Sequence, residues 1–515
     1  MDTSTARIRF WVVAPATAAP QGRRFAVTDD RFAQELAAAT SQVSVTVPDR
    51  LGAGADRTFP LSFGKLRGFQ VGSLPSAVPL LKSLQALAES PGSPESAAAR
   101  VRELCGEGPL AAAVSSVAQD VVPPTPAPVL GQPVTAESLG LKSTAESAID
   151  SFLRSIRPRG AAPVPPGGDR VARVRAVLQA AVEGYAQQIL AAPALSKVES
   201  TWRSLRLLTE QCPAAARILV EVFDAEAGPA AVEMLEREMP EEAFDRPDAI
   251  FVGSQVADAA LAARLAELGE AYNVPVVVDV APALALGAEE LKADLDQAPA
   301  PEGWARLRAE ESSRWLCAAV NPVALLAEPG HTCLGSPALA VAALLAKSFS
   351  ATDGFGKSIG PGGALQAPAS VAQDGAAPAP TQTFIASARQ AALAGRGLLA
   401  LGSARGTDQV ALTAAPTARS SPDAVALPGQ IVTGRLVRFA QWVRDQLPPT
   451  ATELEVTSMF NEAAQIFLFA GASGMGRVSA ELLPGEPRRI RVRASLPAAH
   501  AGSPFLIDFE LPLRA

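Results

Sequence analysis

Histidine and tyrosine are nearly missing: the chain has two of each among 515 residues. Nucleophilic triads and histidine metal sites therefore have almost no raw material. His331 stands in "EPGHTC", two residues before Cys333, and one His near one Cys falls short of a ligand set, so it reads as a loop histidine. Four cysteines, Cys105, Cys212, Cys317 and Cys333, form no C-x-x-C pair and read as small buried hydrophobes in a reducing compartment. Apolar runs of about 18 residues are also missing, because charges such as Asp258, Arg264 and Glu267 break the Ala-rich stretches, so no membrane span is expected. In the opening "MDTSTARIRFWVVA" Arg7 and Arg9 alternate with apolar residues, a strand pattern and not that of a secretory leader. Basic charge is in deficit. A formal charge of −7 and a pI near 5.3 give no general attraction to nucleic acid or to an anionic membrane, so neither is expected as a partner.

Glycine-rich phosphate loops fail as well. No G-x-G-x-x-G follows a predicted strand, which excludes the common dinucleotide fingerprint. The nearest approach to G-x-x-x-x-G-K-[ST] is "ATDGFGKS" (351–358), with Ala351 in place of the first glycine. The preceding "SPALAVAALLAKSF" suits a helix, and the loop runs on into "SIGPGG", so Lys357 has no helix N-terminus to work beside. The stretch reads as a helix-to-loop junction. No cofactor, no metal and no catalytic residue is expected.

What is present is ample apolar material for several cores, with the length suggesting about two to four domains. Pro-rich stretches at 121–134, 157–168 and 361–380 read as extended linkers or long loops. Before the first, short strands are expected at "ARIRFWVVA", "RRFAVT", "QVSVTVP" and "RTFPLSFG", followed by helices at "AVPLLKSLQALAES" and "SPESAAARVREL", the latter capped by Ser93. This part is α+β. Beyond 168 come two helices with core stripes, including Tyr185 and Trp202. Then "RILVEVFD", "DAIFVGS" and "VPVVVDVAP" alternate with amphipathic helices, predicting an α/β, doubly wound, mainly parallel sheet. Asp224, Ser254 and Asp279 end these strands, on the edge where open sheets bind ligands, although Asp and Ser there also serve as caps. The C-terminal part predicts antiparallel strands: a hairpin with Val478 on one arm and Ile490 and Val492 on the other, then Phe505, Ile507, Phe509 and Leu511 on one face of a last strand. These seven residues mark candidate subunit-interface strands.

The order of segments resembles a known family. "LSKVESTWRSLRLLTEQ" resembles the F-x-K-L-E-x-x-W-R-G-L-x-x-L segment of the large contractile-sheath protein of the type VI secretion system, TssC, with Val198, Glu199, Trp202, Arg203 and Leu205 in register. "WARLRAEESSRWLCAAVNPVALL" is similar to its W-x-x-L-R-x-x-E-x-x-R segment, and "GSPALAVAALLAKSFSATDGFGKSIGPGGA" to its small-residue helix followed by a glycine-rich loop. "SARQAALAGRGLLALGSARGTDQVAL" resembles a later helix that leads into a G-F-x-x-L strand. The resemblance runs from about 144 to the end. Residues 1–120 resemble the small sheath protein, TssB, through "RIRFWVVA", "RRFAVTDDRFAQELAAATSQVSVTVPDRL" and "FPLSFGKLRGFQVGSLPSAVPLLKSLQALAES". Departures are Gly68, where the pattern has an acidic residue before Phe69, and "NPVALLAEPGH", which lacks the arginines and tyrosine of P-R-x-L-x-R-x-P-Y-G.

The resemblance implies three parts: a TssB-like domain at 1–120, a Pro-rich linker at 121–143 and a TssC-like domain at 144–515. It implies a structural, non-enzymatic, cytoplasmic subunit that self-assembles into a helical tube by strand addition between subunits. Its implied partners are further copies of itself, an inner tube protein, baseplate components and a recycling AAA+ unfoldase. Two other readings stay open: a non-contractile scaffold or cap on the same fold, and an α/β enzyme using the carboxylates at the strand ends.

Overall fold

The computed structural model describes residues 7–52, 54, 56–119, 169–295, 299–374, 376–464, 477–485, 487–502 and 505–513. The first two Pro-rich stretches and the linker at 121–143 lie outside the described residues. Strands in chain order are β1 (Ile8–Ala14), β2 (Arg24–Val27), β3 (Val43–Val47), β4 (Arg57–Leu61), β5 (Ile218–Asp224), β6 (Ala249–Val256), β7 (Val276–Val280), β8 (Leu316–Val320) and β9 (Val323–Glu328). They continue with β10 (His331–Gly335), β11 (Leu365–Gln366), β12 (Val371–Gln373), β13 (Ala376–Ala379), β14 (Leu398–Ala400), β15 (Gln409–Val410), β16 (Arg477–Leu483), β17 (Arg489–Leu496) and β18 (Phe505–Pro512). The fold is mixed α/β and α+β, and it divides into two compact units that do not follow chain order.

The first unit comprises Met1–Glu35, Ser200–Ala327 and Cys333–Ala515. Its centre is a seven-stranded sheet in the order β14-β8-β7-β6-β1-β5-β2, parallel except for β2 at one edge. Every residue of β5, β7 and β8 is buried, as continuous Val/Ile/Leu runs require when both faces are covered. β1 lies between β5 and β6, with Phe10 opposite Val220 on one side and Ala249 on the other. Two side-chain clusters fix it there. Trp11 Nε1 donates to Glu221 at 3.0 Å, and Arg24 reaches the same carboxylate at 2.8 Å while its guanidinium stacks over the Trp11 and Phe223 rings. Trp202 is fully buried, donates to the Ala16 carbonyl at 2.8 Å and packs against Phe25 and Phe32.

Two helices beside the sheet show why these sequences are helical. The Ala259–Tyr272 helix is capped by Asp258, whose side chain accepts from Leu261 N at 2.8 Å, and it ends where Asn273 turns left-handed. The Pro337–Thr352 helix opens with Ser336 accepting from Leu339 N and with Pro337 at its first position. It is buried on nearly all sides from Pro337 to Leu345, which explains its Ala/Leu composition. Gly253 in β6 lets that helix approach, since a Cβ there would lie 2.4 Å from Leu339 Cδ1.

The 361–380 stretch departs from expectation. Instead of a solvated linker it carries β11 and the β12–β13 ribbon. Gln373 holds the ribbon by accepting from Phe384 N at 2.9 Å and donating to Gln382 O at 3.2 Å, and a two-stranded ribbon has free edges that tolerate proline. At the C-terminal end β16, β17 and β18 form an antiparallel sheet in that order, with Val478 opposite Ala494 and Val492 opposite Phe509.

The second unit comprises Leu36–Glu199 and Glu328–Thr332. It holds the β3–β4 hairpin, where Val45 faces Phe59, and the helices Pro79–Glu89, Pro94–Cys105, Pro109–Gln119 and Arg170–Leu190. Ser93 caps its helix as expected, accepting from Ser96 N at 3.2 Å. His331, expected in a loop, instead starts β10, and its Nε2 lies 2.8 Å from the buried carboxylate of Glu199. A long-range contact, 132 residues apart in sequence, makes this pair, and no local pattern announces it.

Candidate functional site

The carboxyl ends of β6, β7 and β8 open onto a cavity of about 600 Å³ within the first unit. This is where open α/β sheets place ligands. Gln255, Asp279, Asn321 and Gln373 reach its wall, with Glu290 and Lys292 at its border. The three strand-end residues, Asp224, Ser254 and Asp279, are not brought together there. Asp224 Oδ1 accepts from Ala16 N at 2.8 Å and Thr17 N at 3.0 Å, while its Oδ2 accepts from Thr17 Oγ1 at 2.6 Å, tying the turn after β1 to β5. Ser254 Oγ accepts from Ala227 N at 2.6 Å. Only Asp279 lines the cavity, and its Oδ1 accepts from Ala338 N at 2.6 Å in the first turn of the Pro337–Thr352 helix.

Asn321 was not singled out by sequence reasoning, although an Asn-Pro dipeptide after a strand is a turn signal. It holds a left-handed φ of 75° and spends its amide on Thr383 and Leu401, with Nδ2 donating to both carbonyls and Oδ1 accepting from Thr383 N. The polar groups at the strand ends thus hold backbone in place. Among the described residues no group of three or more His, Cys, Asp or Glu side chains is arranged to hold a metal ion, and no helix is long and apolar enough to cross a membrane.

Burial pushes the Asp279 carboxyl up to about 7, against the opposing pull of the Ala338 N–H and the Ser336 hydroxyl, which favour the ionised form. Between the ordinary carboxylate value of 3.8 and about 7 the folded chain therefore holds more protons at this residue than the unfolded chain. The contribution of Asp279 to stability is full below that window and falls as pH rises through it. Asp279→Asn keeps an acceptor for Ala338 N and cannot ionise. Urea midpoints at pH 5 and pH 7.5 are expected to lie closer together in this variant than in the parent protein.

The "ATDGFGKS" loop is confirmed as a helix end. Asp353, at φ 54°, closes the Pro337–Thr352 helix, and three of the loop N–H groups are used internally. Lys357 N donates to Ser348 Oγ at 3.1 Å, Ser358 N to Phe355 O at 3.1 Å and Phe355 N to His500 O at 3.0 Å. Gly363 packs so tightly on this loop that a Cβ would lie 1.8 Å from Lys357 O. The N–H groups of Phe355, Lys357 and Ser358 are thus held by acceptors within the chain.

In the C-terminal sheet, Val478, Ile490, Val492, Ile507 and Leu511 are buried, Phe509 is half-buried and Phe505 occupies the first position of β18. β16 packs against the Glu453–Ala463 helix, so this apolar face is covered from within the chain. The other face carries a ladder of charges. Arg491 forms a two-pronged pair with Asp508 at 2.8 and 2.6 Å, Arg489 meets Glu510 at 3.3 Å and Arg493 meets Asp508 at 3.2 Å. The hydrogen bond from Arg491 holds the Asp508 carboxyl down at about 2. Among the described residues β18 pairs only with β17, so its outer edge is open, and Leu506 beside it is 71% exposed.

Neither a protein-family model nor a curated protein matches the chain. Solved structures similar to it include a chain of the anti-feeding prophage baseplate (12% identical, 61% of this chain, 78% of that chain, TM-score 0.36). Others are the contracted helical sheath of the anti-feeding prophage (14%, 61%, 78%, 0.36) and the contracted PVC sheath complex of an extracellular contractile injection system (11%, 61%, 77%, 0.36).

Proposed function

We propose that the chain is a structural, non-catalytic subunit of a contractile sheath of the type VI secretion kind, with a TssB-like part at 1–120 joined through 121–143 to a TssC-like part at 144–515. It builds a helical tube by strand addition between copies, around an inner tube protein and on baseplate components, and a recycling AAA+ unfoldase is a further partner. The observation that carries the reading is the open outer edge of β18, next to the exposed Leu506, at the end of a chain whose segments resemble the sheath proteins in order. An unpaired row of N–H and C=O groups is a template for another strand, and repetition of one such head-to-tail contact produces an open helical assembly. The placement of β1 between β5 and β6 is a second support, because the two parts then complete one sheet. The strand-end residues Asp224, Ser254 and Asp279 each accept from a backbone N–H group, which supports an anchoring role for them.

The test is sedimentation and negative-stain microscopy of the purified protein. The parent is expected to form tubes or pelletable polymers. Leu506→Lys puts an edge-blocking charge on a side chain already in solvent, so it is expected to lower the polymer yield at least tenfold with an unchanged urea midpoint. Removal of 503–515 is expected to abolish polymers. A parent that stays monomeric at all concentrations, or a Leu506→Lys variant that polymerises normally, overturns the reading.

A further inference from the structure

Five carboxylates are buried among the described residues, and four of them are answered within the fold. Glu221 meets Arg24, Asp248 meets Arg435 and Arg438, Glu199 meets His331, and Asp224 accepts three hydrogen bonds. Asp279 is the exception. It is 8% exposed, is in no ion pair among the described residues, and has two donors, Ala338 N at 2.6 Å and the Ser336 hydroxyl. An ionised carboxylate offers about four acceptor sites, and burying one without a counter-charge is costly. The space that Asp279 lines is the cavity of about 600 Å³ at the carboxyl ends of β6, β7 and β8.

The rest of the lining says which charge that space takes. The exposed residues Glu289, Glu290 and Asp374 line it with Asp279, against one cation, Lys292, which gives a net of three negative charges when all five are ionised. Donors for an anion are already used. The N–H groups of Ala338, Leu339 and Ala340 at the start of the Pro337–Thr352 helix go to Asp279 and Ser336, and the amides of Asn321 and Gln373 go to backbone. A negatively charged recess concentrates cations. Its volume is in the range of small-molecule sites, about 300–1,000 Å³, and exceeds what one ammonium group fills.

We propose that this cavity binds a small aliphatic amine carrying two or more ammonium groups, one paired with Asp279 and another with the exposed carboxylates Glu289, Glu290 and Asp374. The amine supplies the counter-charge that the fold leaves out, so it binds with Asp279 ionised. Burial holds the Asp279 carboxyl up at about 7, and the amine stays charged on both sides of that value. Binding is therefore strong above this pH and weak below it, where Asp279 is neutral. This assignment is independent of the sheath reading.

Titration calorimetry of the full-length protein with spermidine, at fixed ionic strength, tests it. One saturable site is expected at pH 8, with an affinity at least about fivefold lower at pH 5.5. Asp279→Asn is expected to remove that site, whereas Glu242→Gln, which deletes one exposed carboxylate ahead of β6 at the opposite end of the sheet, is expected to keep it. Asp374→Lys changes an exposed side chain and is expected to weaken binding at least about fivefold with an unchanged urea midpoint, so the test does not depend on how well Asp279→Asn folds. Succinate is expected not to bind. Absence of a saturable site for spermidine, equal affinity at the two pH values, or unaltered binding in Asp374→Lys overturns the proposal. Equal effects of Asp279→Asn and Glu242→Gln overturn it too, since they assign binding to the diffuse negative charge of the chain.

Discussion

Deleting residues 1–35 is expected to leave the sheet unit unable to fold. β1 is a central strand, so its loss exposes two rows of backbone groups, on β5, which pairs with it from Ile8 to Ala14, and on β6, which pairs with it from Phe10 to Val13. It also removes Ile8, Phe10, Trp11, Val12 and Val13, all essentially fully buried, at roughly 1.5–3 kcal/mol each. That loss is comparable with the whole stability of an ordinary domain, about 5–15 kcal/mol. Trp202 would lose Phe25, Phe32 and its hydrogen bond to Ala16 in the same step. The truncated protein is expected to be insoluble, or to lack a cooperative urea transition. Co-expression of 1–119 as a separate chain with 169–515 is expected to restore solubility, because β1 needs only to be present and not to be covalently joined. A soluble, cooperatively unfolding truncation would mean that β1 is dispensable.

Asp248→Ala is the point substitution with the largest expected effect, a loss of about 3–5 kcal/mol. Asp248 is 5% exposed at the entry to β6 and accepts three hydrogen bonds: from Arg9 N at 3.0 Å, Arg435 Nη1 at 3.2 Å and Arg438 Nη2 at 2.9 Å. Arg438 is 2% exposed on the Leu427–Gln446 helix and also donates to the Asn273 carbonyl. Burial pushes its guanidinium down to about 10, with the Asp248 carboxylate as the main opposing influence and Arg435 adding repulsion. Without Asp248 two arginines face each other with no counter-charge, one of them out of water. The urea midpoint should fall accordingly. Asp248→Ala combined with Arg438→Met is expected to recover much of the loss, since an apolar replacement of a buried pair is far less costly than an orphaned charge. Equal destabilisation in the single and double variants would show that the cost comes from packing and not from the unpaired cation.

Local features of the fold were legible because they depend on neighbours in sequence. The cap at Ser93 follows from backbone groups that a nearby side chain must satisfy. Alternation gave the strands β3 and β4, the β16–β17 hairpin and a last strand with one apolar face, but not the pairing of β3 with β4 or of β17 with β18. The same alternation did not say what covers that face. The Glu453–Ala463 helix packs on it, and among the described residues β16 and β18 are the two edge strands of this sheet. At the candidate site, Asp279 was placed at the cavity from the sequence, while the roles of Asp224 and Ser254 as acceptors for distant N–H groups were not visible. His331 shows the limit most sharply, since its partner Glu199 is 132 residues away.

The sequence by itself determined the strands β1–β7 and β16–β18, many of the helices, and that the 351–358 stretch is no phosphate loop. It determined this because periodicity, capping and chain stiffness act over a few residues. The tertiary structure alone decided that β1 lies between β5 and β6, that Asp248 neutralises two arginines and that Trp202 packs on Phe25 and Phe32. Those contacts join residues far apart in the chain, and strand neighbours are chosen by how whole faces and edges are covered. No local pattern encodes that choice.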